Sequence, residues 1–394
     1  MPLQIHSVAL SSQDRRKPSA STLHDASLGF LGIAHATVLP SLLESDLGSA
    51  ASKLVLDTAR GHIAKAIADL RTRGQDQDEA TQEVLRTAAN LARLELSAFS
   101  IRKRQSIECT LDLALVLDSV LYVCHLGDGA TYLVRKGLVH KLTQDHISQV
   151  AHAANERPAR TQSLGIDGSE AEVLAVTLGR SDRVLLTSPW LSMNLDELRL
   201  REATTDPTPD GLTARLLSIG RDRAPQADMA VGVMLPIGIQ PSTSRPGTGR
   251  LETLARTPLF AYCTERELIS LAGITRPAHF KQGETLFSQG ELGKAMYLLV
   301  AGKVEVVRDG QSIAELGPGA NFGEMALLDE PERSATITAL EPAEALIITR
   351  EAFFALLKRD PTLAVKVLWN MLLRLSSNLR STSEKLAALE RALK

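Results

Sequence analysis

The sequence predicts an α+β protein of two domains. Residues 1–236 place long helical patterns ahead of a series of strand patterns, the order of a largely antiparallel sheet covered by helices. Residues 237–250, IGIQPSTSRPGTGR, are rich in Pro, Gly, Ser and Thr and carry no apolar period, which marks a linker. Residues 251–394 then change texture to short strands punctuated by glycines and closed by a helix, the pattern of a small β-barrel or roll. A length of 394 residues allows each domain a core of its own.

Element by element, helical patterns cover residues 49–73 and 78–99. Strand patterns follow at 110–117, 120–126, 131–135, 138–142, 184–187 and 229–235. After the linker, Thr264 and Glu267 form a capping box that starts a helix. Asp309-Gly310 stands between two β-like runs and is the residue pair that a type I′ hairpin turn requires. The last thirty or so residues return to a helical pattern.

Composition excludes several classes. A formal net charge of −2 supplies no field to recruit nucleic acid or an anionic membrane. The longest apolar runs fall far short of a membrane span, and no secretory leader is visible, so the expected location is the cytoplasm. Cys109, Cys124 and Cys263 lack metal-like spacing and read as thiols in a reducing compartment. Neither a G-x-S-x-G elbow, a P-loop nor an H-E-x-x-H pair occurs.

The densest chemistry lies in residues 321–339, NFGEMALLDEPERSATITA. Gly323 allows close backbone approach to a ligand, and the amides around Gly323 and Ala326 can face an anion. Glu324 is an acceptor suited to ribose hydroxyls, and Arg333 offers a fork of donors that matches a phosphate diester. The plainer alternative is a structural Glu324–Arg333 ion pair. This run resembles the phosphate-binding cassette of the cyclic-nucleotide-binding domains of bacterial cAMP receptor proteins and of cAMP-dependent kinase regulatory subunits. Residues 279–307, HFKQGETLFSQGELGKAMYLLVAGKVEVV, extend the resemblance. It implies a β-roll flanked by helices, with Gly323, Glu324 and Ala326 lining ribose and phosphate and Arg333 and Ser334 closing the phosphate. The implied ligand is cAMP, with cGMP as the alternative that Ser334 could favour.

The closing helix carries apolar residues at alternating steps of three and four from Val365 through Leu368, Leu372, Leu375 and Leu379 to Leu393. That is the seam of a two-stranded coiled coil and predicts a homodimer. Thr382 is its single polar member. By the same resemblance Thr382 and Ser383 are adenine contacts, while dimer register is the competing account of Thr382. In the similar transcription factors a DNA-reading domain follows this helix. Here the chain ends at Lys394, so no DNA partner is expected.

Residues 125–147, HLGDGATYLVRKGLVHKLTQDHI, resemble metal-dependent Ser/Thr phosphatases of the PPM (type 2C) family, as do 182–198 and 224–235. The resemblance implies an α/β sandwich with antiparallel sheets. It also implies two metal ions held by several aspartates. Those acids are largely missing. An Asp-Gly run expected after Phe30 reads GIAHATVLP, and another is replaced by Pro189-Trp190. Asp228 occupies a ligand position and Asp25 is a second candidate; Asp128 lies in the retained turn, outside the main ligands. The expectation is a pseudophosphatase with no catalytic residues and no metal, joined to a cyclic-nucleotide sensor and acting on an unknown protein partner. The alternative is a metal-dependent phosphatase gated by cyclic nucleotide.

Overall fold

The computed structural model describes residues 3–11, 18–39, 45–73, 77–148, 159–179, 181–236, 250–328 and 332–392. The chain divides into two compact units, Met1–Pro241 and Ser242–Lys394. Residues 237–249, most of the expected linker, lie outside the described residues, and Arg250 already opens a helix.

The first unit runs β1 (Leu3–Leu10), β2 (Ala20–Asp25), β3 (Phe30–Leu39), α1 (Ser45–Arg73), α2 (Gln77–Lys103), β4 (Ser106–Leu117), β5 (Val120–Leu126), β6 (Ala130–Arg135), β7 (Leu138–Lys141), β8 (Glu172–Thr177), β9 (Arg183–Thr187), α3 (Pro189–Asn194), α4 (Glu197–Ala203), α5 (Pro209–Arg223) and β10 (Met229–Pro236). Three strands therefore precede the helices, where the sequence pattern shows none, and β8 is a further strand it misses.

Two antiparallel five-stranded sheets result, ordered β1-β10-β9-β6-β7 and β2-β3-β4-β5-β8. Strand β10 packs on β2 and β3, so the sheets face each other. Helix α1 buries Val55, Leu56, Ala59, Ile63 and Ile67, and α2 buries Leu85, Ala88, Ala92 and Leu96. These positions recur at helical spacing and form one core with Phe30, Leu111 and Leu113 of the second sheet. The backbone of α1 lies close to β3 at Gly32, where a Cβ would stand 2.9 Å from Leu56 Cδ2. A second core joins Leu191, Leu212 and Leu216 of α3 and α5 to Leu185, Val231 and Val233 of the first sheet. Helices thus cover the outer faces, and the facing inner surfaces carry the polar residues described below.

The second unit runs α6 (Arg250–Arg256), a 3₁₀ turn (Pro258–Phe260), α7 (Glu265–Gly273), β11 (Thr275–Phe280), β12 (Thr285–Phe287), β13 (Ala295–Ala301), β14 (Val304–Arg308), β15 (Gln311–Leu316), β16 (Asn321–Phe322), α8 (Met325–Leu328), β17 (Thr336–Ala339), β18 (Ala343–Thr349), α9 (Arg350–Arg359) and α10 (Pro361–Ala392). Two antiparallel four-stranded sheets, β11-β18-β13-β16 and β12-β17-β14-β15, make the β-roll. Thr264 and Glu267 form the capping box at α7. Asp309 and Gly310 stand at φ 51° and 76°, both in the left-handed region that a type I′ turn needs. Phe353, Leu363, Val367 and Met371 seat α9 and α10 on the roll through Met296, Leu298 and Ile348.

Candidate nucleotide site and the acids between the sheets

Arg333 is the centre of the first candidate site. It is 8% exposed, with Nη2 donating to the Ala295 carbonyl at 2.7 Å and Nη1 to the Gly323 carbonyl at 3.3 Å. Its guanidinium lies over the Phe287 ring, 4.0 Å from the centroid. Phe287 packs with Tyr297 and Phe322, and the latter two rings are stacked at 5.5 Å. Burial lowers the Arg333 pKa, with Tyr297 and Glu291 opposing the shift, and an arginine remains a cation under such conditions.

Gly323 adopts φ +71° at the step from β16 into α8, and a Cβ there would collide with Nη1 of Arg333. Gly293 is equally constrained: its Cβ would stand 2.9 Å from Ala326 Cβ and 3.2 Å from Arg333 Cζ. The structure therefore brings Gly323, Ala326 and Arg333 together. Ala326 is buried, but its amide donates to the Gly323 carbonyl at 3.2 Å, inside the turn. Glu324 is partly exposed and Ser334 exposed. Glu324 makes no ion pair with Arg333, so the structural-pair alternative is not what the fold builds. Gly293, Phe287 and Tyr297 were missed from sequence. Only the close Gly290/Gly293 spacing could have signalled the first, and nothing local signals the aromatic rings.

The second candidate site lies on the inner faces of the sandwich. Asp228 Oδ2 accepts from the Ser19 amide at 2.8 Å and the Ser19 hydroxyl at 2.6 Å. Ser19 Oγ is 3.3 Å from His35 Nε2, and His35 stands in the run where an acid was expected. Asp128, in the Gly127–Gly129 turn, accepts from Arg160 Nε at 2.7 Å, and both are about 5% exposed. Asp25 is not part of this group. Its Oδ1 closes a turn with Ser27 and Leu28, at the far end of β2 from Ser19, about 20 Å along an extended strand. Ser27 and Leu28 donors hold its carboxyl below the usual range. Beneath the turn, Asp112 and His125 form a fully buried pair at 2.7 Å, and a Cβ on Gly129 would collide with Asp112 Oδ2.

Residues 277–360 match the family model described as "Cyclic nucleotide-binding domain". The chain carries a cyclic nucleotide-binding domain. This domain is 42% identical over 113 residues to the cyclic AMP receptor protein of Thermus thermophilus, covering 27% of this chain and 52% of that protein. It is 30% identical over 144 residues to the CRP-like cAMP-activated global transcriptional regulator of Mycobacterium tuberculosis, covering 35% and 62%. The chain thus spans roughly half of these relatives' length. The first unit has the PPM Ser/Thr phosphatase fold. The structure of the serine/threonine phosphatase PstP/Ppp of Mycobacterium tuberculosis superposes with a TM-score of 0.51 at 19% identity, covering 60% of this chain and all of that one.

Within the cyclic nucleotide-binding domain, Gly323, Glu324, Ala326, Arg333 and Ser334 all fall in the matched segment. Thr382 and Ser383 lie on α10, but their side chains are outside the described residues. In the phosphatase-fold unit, the donors present do not fit a pair of divalent cations. Asp228 is held by Ser19, the runs where further acids were expected read His35-Ala36-Thr37 and Pro189-Trp190, and Asp128 of the neighbouring turn is held by a guanidinium. Among the described residues no group of three or more His, Cys, Asp or Glu side chains is placed to hold a metal ion.

Proposed function

We propose that this protein senses a cyclic nucleotide, cAMP over cGMP, and signals through a phosphatase-fold unit that binds a protein partner instead of catalysing. One observation carries the first half: a glycine at positive φ packs on a buried arginine that has no carboxylate within ion-pair distance among the described residues, inside a matched cyclic nucleotide-binding segment. Among the described residues this cation has no counter-ion, and a cyclic phosphate supplies one. The ribose hydroxyls would fall to Glu324 and the far side of the phosphate to Ser334.

The exposed seam of α10 supports a homodimer. Val365, Leu368 and Leu372 are 69%, 46% and 59% exposed, while Leu363, Val367 and Met371 on the other face are buried in the roll. Contacts at Asp228 and Asp128 support the pseudoenzyme half. The free thiols suit the cytoplasm, and no described helix is long and apolar enough to cross a membrane. The fold itself favours a second reading, a phosphatase regulated by the nucleotide.

Two measurements on the full chain test this. Calorimetric titration with cAMP and with cGMP should give a saturable isotherm, tighter for cAMP. Incubation with an aryl phosphate and a phosphothreonine peptide in millimolar Mn²⁺ or Mg²⁺ should give no turnover. Metal-dependent turnover lost in Asp228→Asn would promote the second reading.

A further inference from the structure

We infer that Arg160 does the electrostatic work of a cation between the two sheets, so that the phosphatase-fold unit folds around a built-in guanidinium and needs no metal ion. This rests on the pseudoenzyme reading above but can fail without it.

The carboxylates of Asp128 and Glu108 come from different strands' ends and approach the same point. Asp128 belongs to the turn after β5, and Glu108 lies on β4, paired in register with Thr37 of β3. Two carboxylates between packed sheets repel and lose hydration, so one cationic partner is required. Arg160 is that partner. Its Nε donates to Asp128 Oδ1 at 2.7 Å, its Nη1 donates to Thr37 Oγ1 at 3.2 Å, and Nη1 is 3.6 Å from Glu108 Oε2. Thr37 is two residues from His35 on β3 and therefore shares its face. The arginine thus reaches into the stretch that departs from the phosphatase pattern.

The delivery of Arg160 is rigid. It pairs with Ile147 in an antiparallel bridge, flanked by Thr161 N–H on the His146 carbonyl at 2.9 Å and Ser148 N–H on the Ala159 carbonyl at 2.8 Å. A guanidinium 5% exposed, bonded to Asp128 and Thr37 and carried on backbone bridged at both flanks, cannot swing out cheaply to admit a hydrated divalent ion. Its Nη2 is buried with no hydrogen-bond acceptor among the described residues. On the other flank Asp228 Oδ2 is already engaged by two Ser19 donors.

The test uses the full chain, Mn²⁺ as the probe, and thermal unfolding with calorimetry. Wild type should show no saturable Mn²⁺ heat and the same Tm in Mn²⁺ and in EDTA. Arg160→Met should lower Tm, acquire a saturable Mn²⁺ isotherm, and recover Tm with Mn²⁺ but not with NaCl of equal ionic strength. Adding Asp128→Asn to Arg160→Met should restore Tm without metal and abolish the Mn²⁺ response. If Arg160→Met alone does not fold, the double variant still decides, because it removes the cation together with the carboxylate bonded to it and leaves only the partly exposed Glu108. A double variant no more stable than Arg160→Met, or an Arg160→Met protein indifferent to Mn²⁺, would overturn the inference while leaving the pseudoenzyme reading intact. Mn²⁺ binding by wild type that is lost in Asp128→Asn would also overturn it. Turnover of an aryl phosphate by wild type would instead strike the pseudoenzyme reading itself.

Discussion

The guanidinium of Arg333 rests on two carbonyls and the faces of Phe287 and Tyr297, and each is a weaker partner than a phosphate diester. Replacing it by Ala should weaken cAMP binding by roughly 2–4 kcal/mol, the scale of removing one member of a desolvated charge pair. Calorimetry reads this directly, and unchanged affinity would remove Arg333 from the site. Gly323→Ala addresses the same spot from the backbone side. The methyl group meets Arg333 at a φ of +71°, where L side chains are strained. The expected result is a loss of cAMP affinity comparable to that of Arg333→Ala, with both variants still folded by circular dichroism. Gly323 and Arg333 were legible because their spacing is local, ten residues apart in one run. Phe287 and Gly293 were not, because a ring beneath a cation and a close approach of two loops exist only after β12, β13 and β16 pack.

At the scale of elements, α10 faces two ways. Its buried side is tied to α7 by Lys366, which donates to both Glu267 carboxylate oxygens at 2.8 and 2.9 Å. Burial pushes the Glu267 carboxyl up, yet the donors from Lys366 and Thr264 outweigh it and leave it below its usual range. A depressed carboxyl adds stability that is present above its ordinary value, near pH 4.5, and lost as pH falls through the lowered one. The second unit should therefore lose Tm on acidification below about pH 4.5 by an amount that Glu267→Gln largely removes. Equal acid sensitivity in that variant would mean Glu267 carries none of it. The outer side of α10 is the exposed seam. Leu368→Lys with Leu372→Lys should convert a dimer to a monomer in sedimentation velocity, with the far-ultraviolet spectrum retained. A wild-type chain that sediments as a monomer would refute the dimer. Periodicity showed this helix, the capping box at Thr264 and the Asp309-Gly310 hairpin in advance. It did not show β1–β3 or β8. Strand β3 reads FLGIAHATVL, in which Gly and two Ala weaken β-propensity, and it becomes a strand by pairing with β2 and β4.

For the whole molecule, ligand binding to one unit is a stability term by mass action. At one hundred times Kd, cAMP should add about 2.7 kcal/mol to the unit that holds it. Scanning calorimetry of the full chain should show the transition of the β-roll unit moving up in temperature. If the nucleotide also regulates the phosphatase-fold unit, hydrogen exchange within residues 3–236 should change on cAMP addition. Exchange confined to the β-roll unit would limit cAMP to a local ligand and remove the proposed signal.

The sequence by itself determined the division of texture near residue 237, the β-roll, the Gly323–Arg333 run and the apolar period of the last helix. All four are carried by residues close together in the chain, where turn chemistry and helical period act directly. It also raised the expectation of missing acids at residues 35–37 and at Pro189, since a residue's lack of charge needs no partner to be seen. Only the tertiary structure decided which donors the acids that are present would meet. Arg160 lies 32 residues from Asp128, and Ser19 lies 209 residues from Asp228. The electrostatics of a buried carboxylate depend on whichever donor the fold brings within 3 Å of it, and no local pattern encodes that distance.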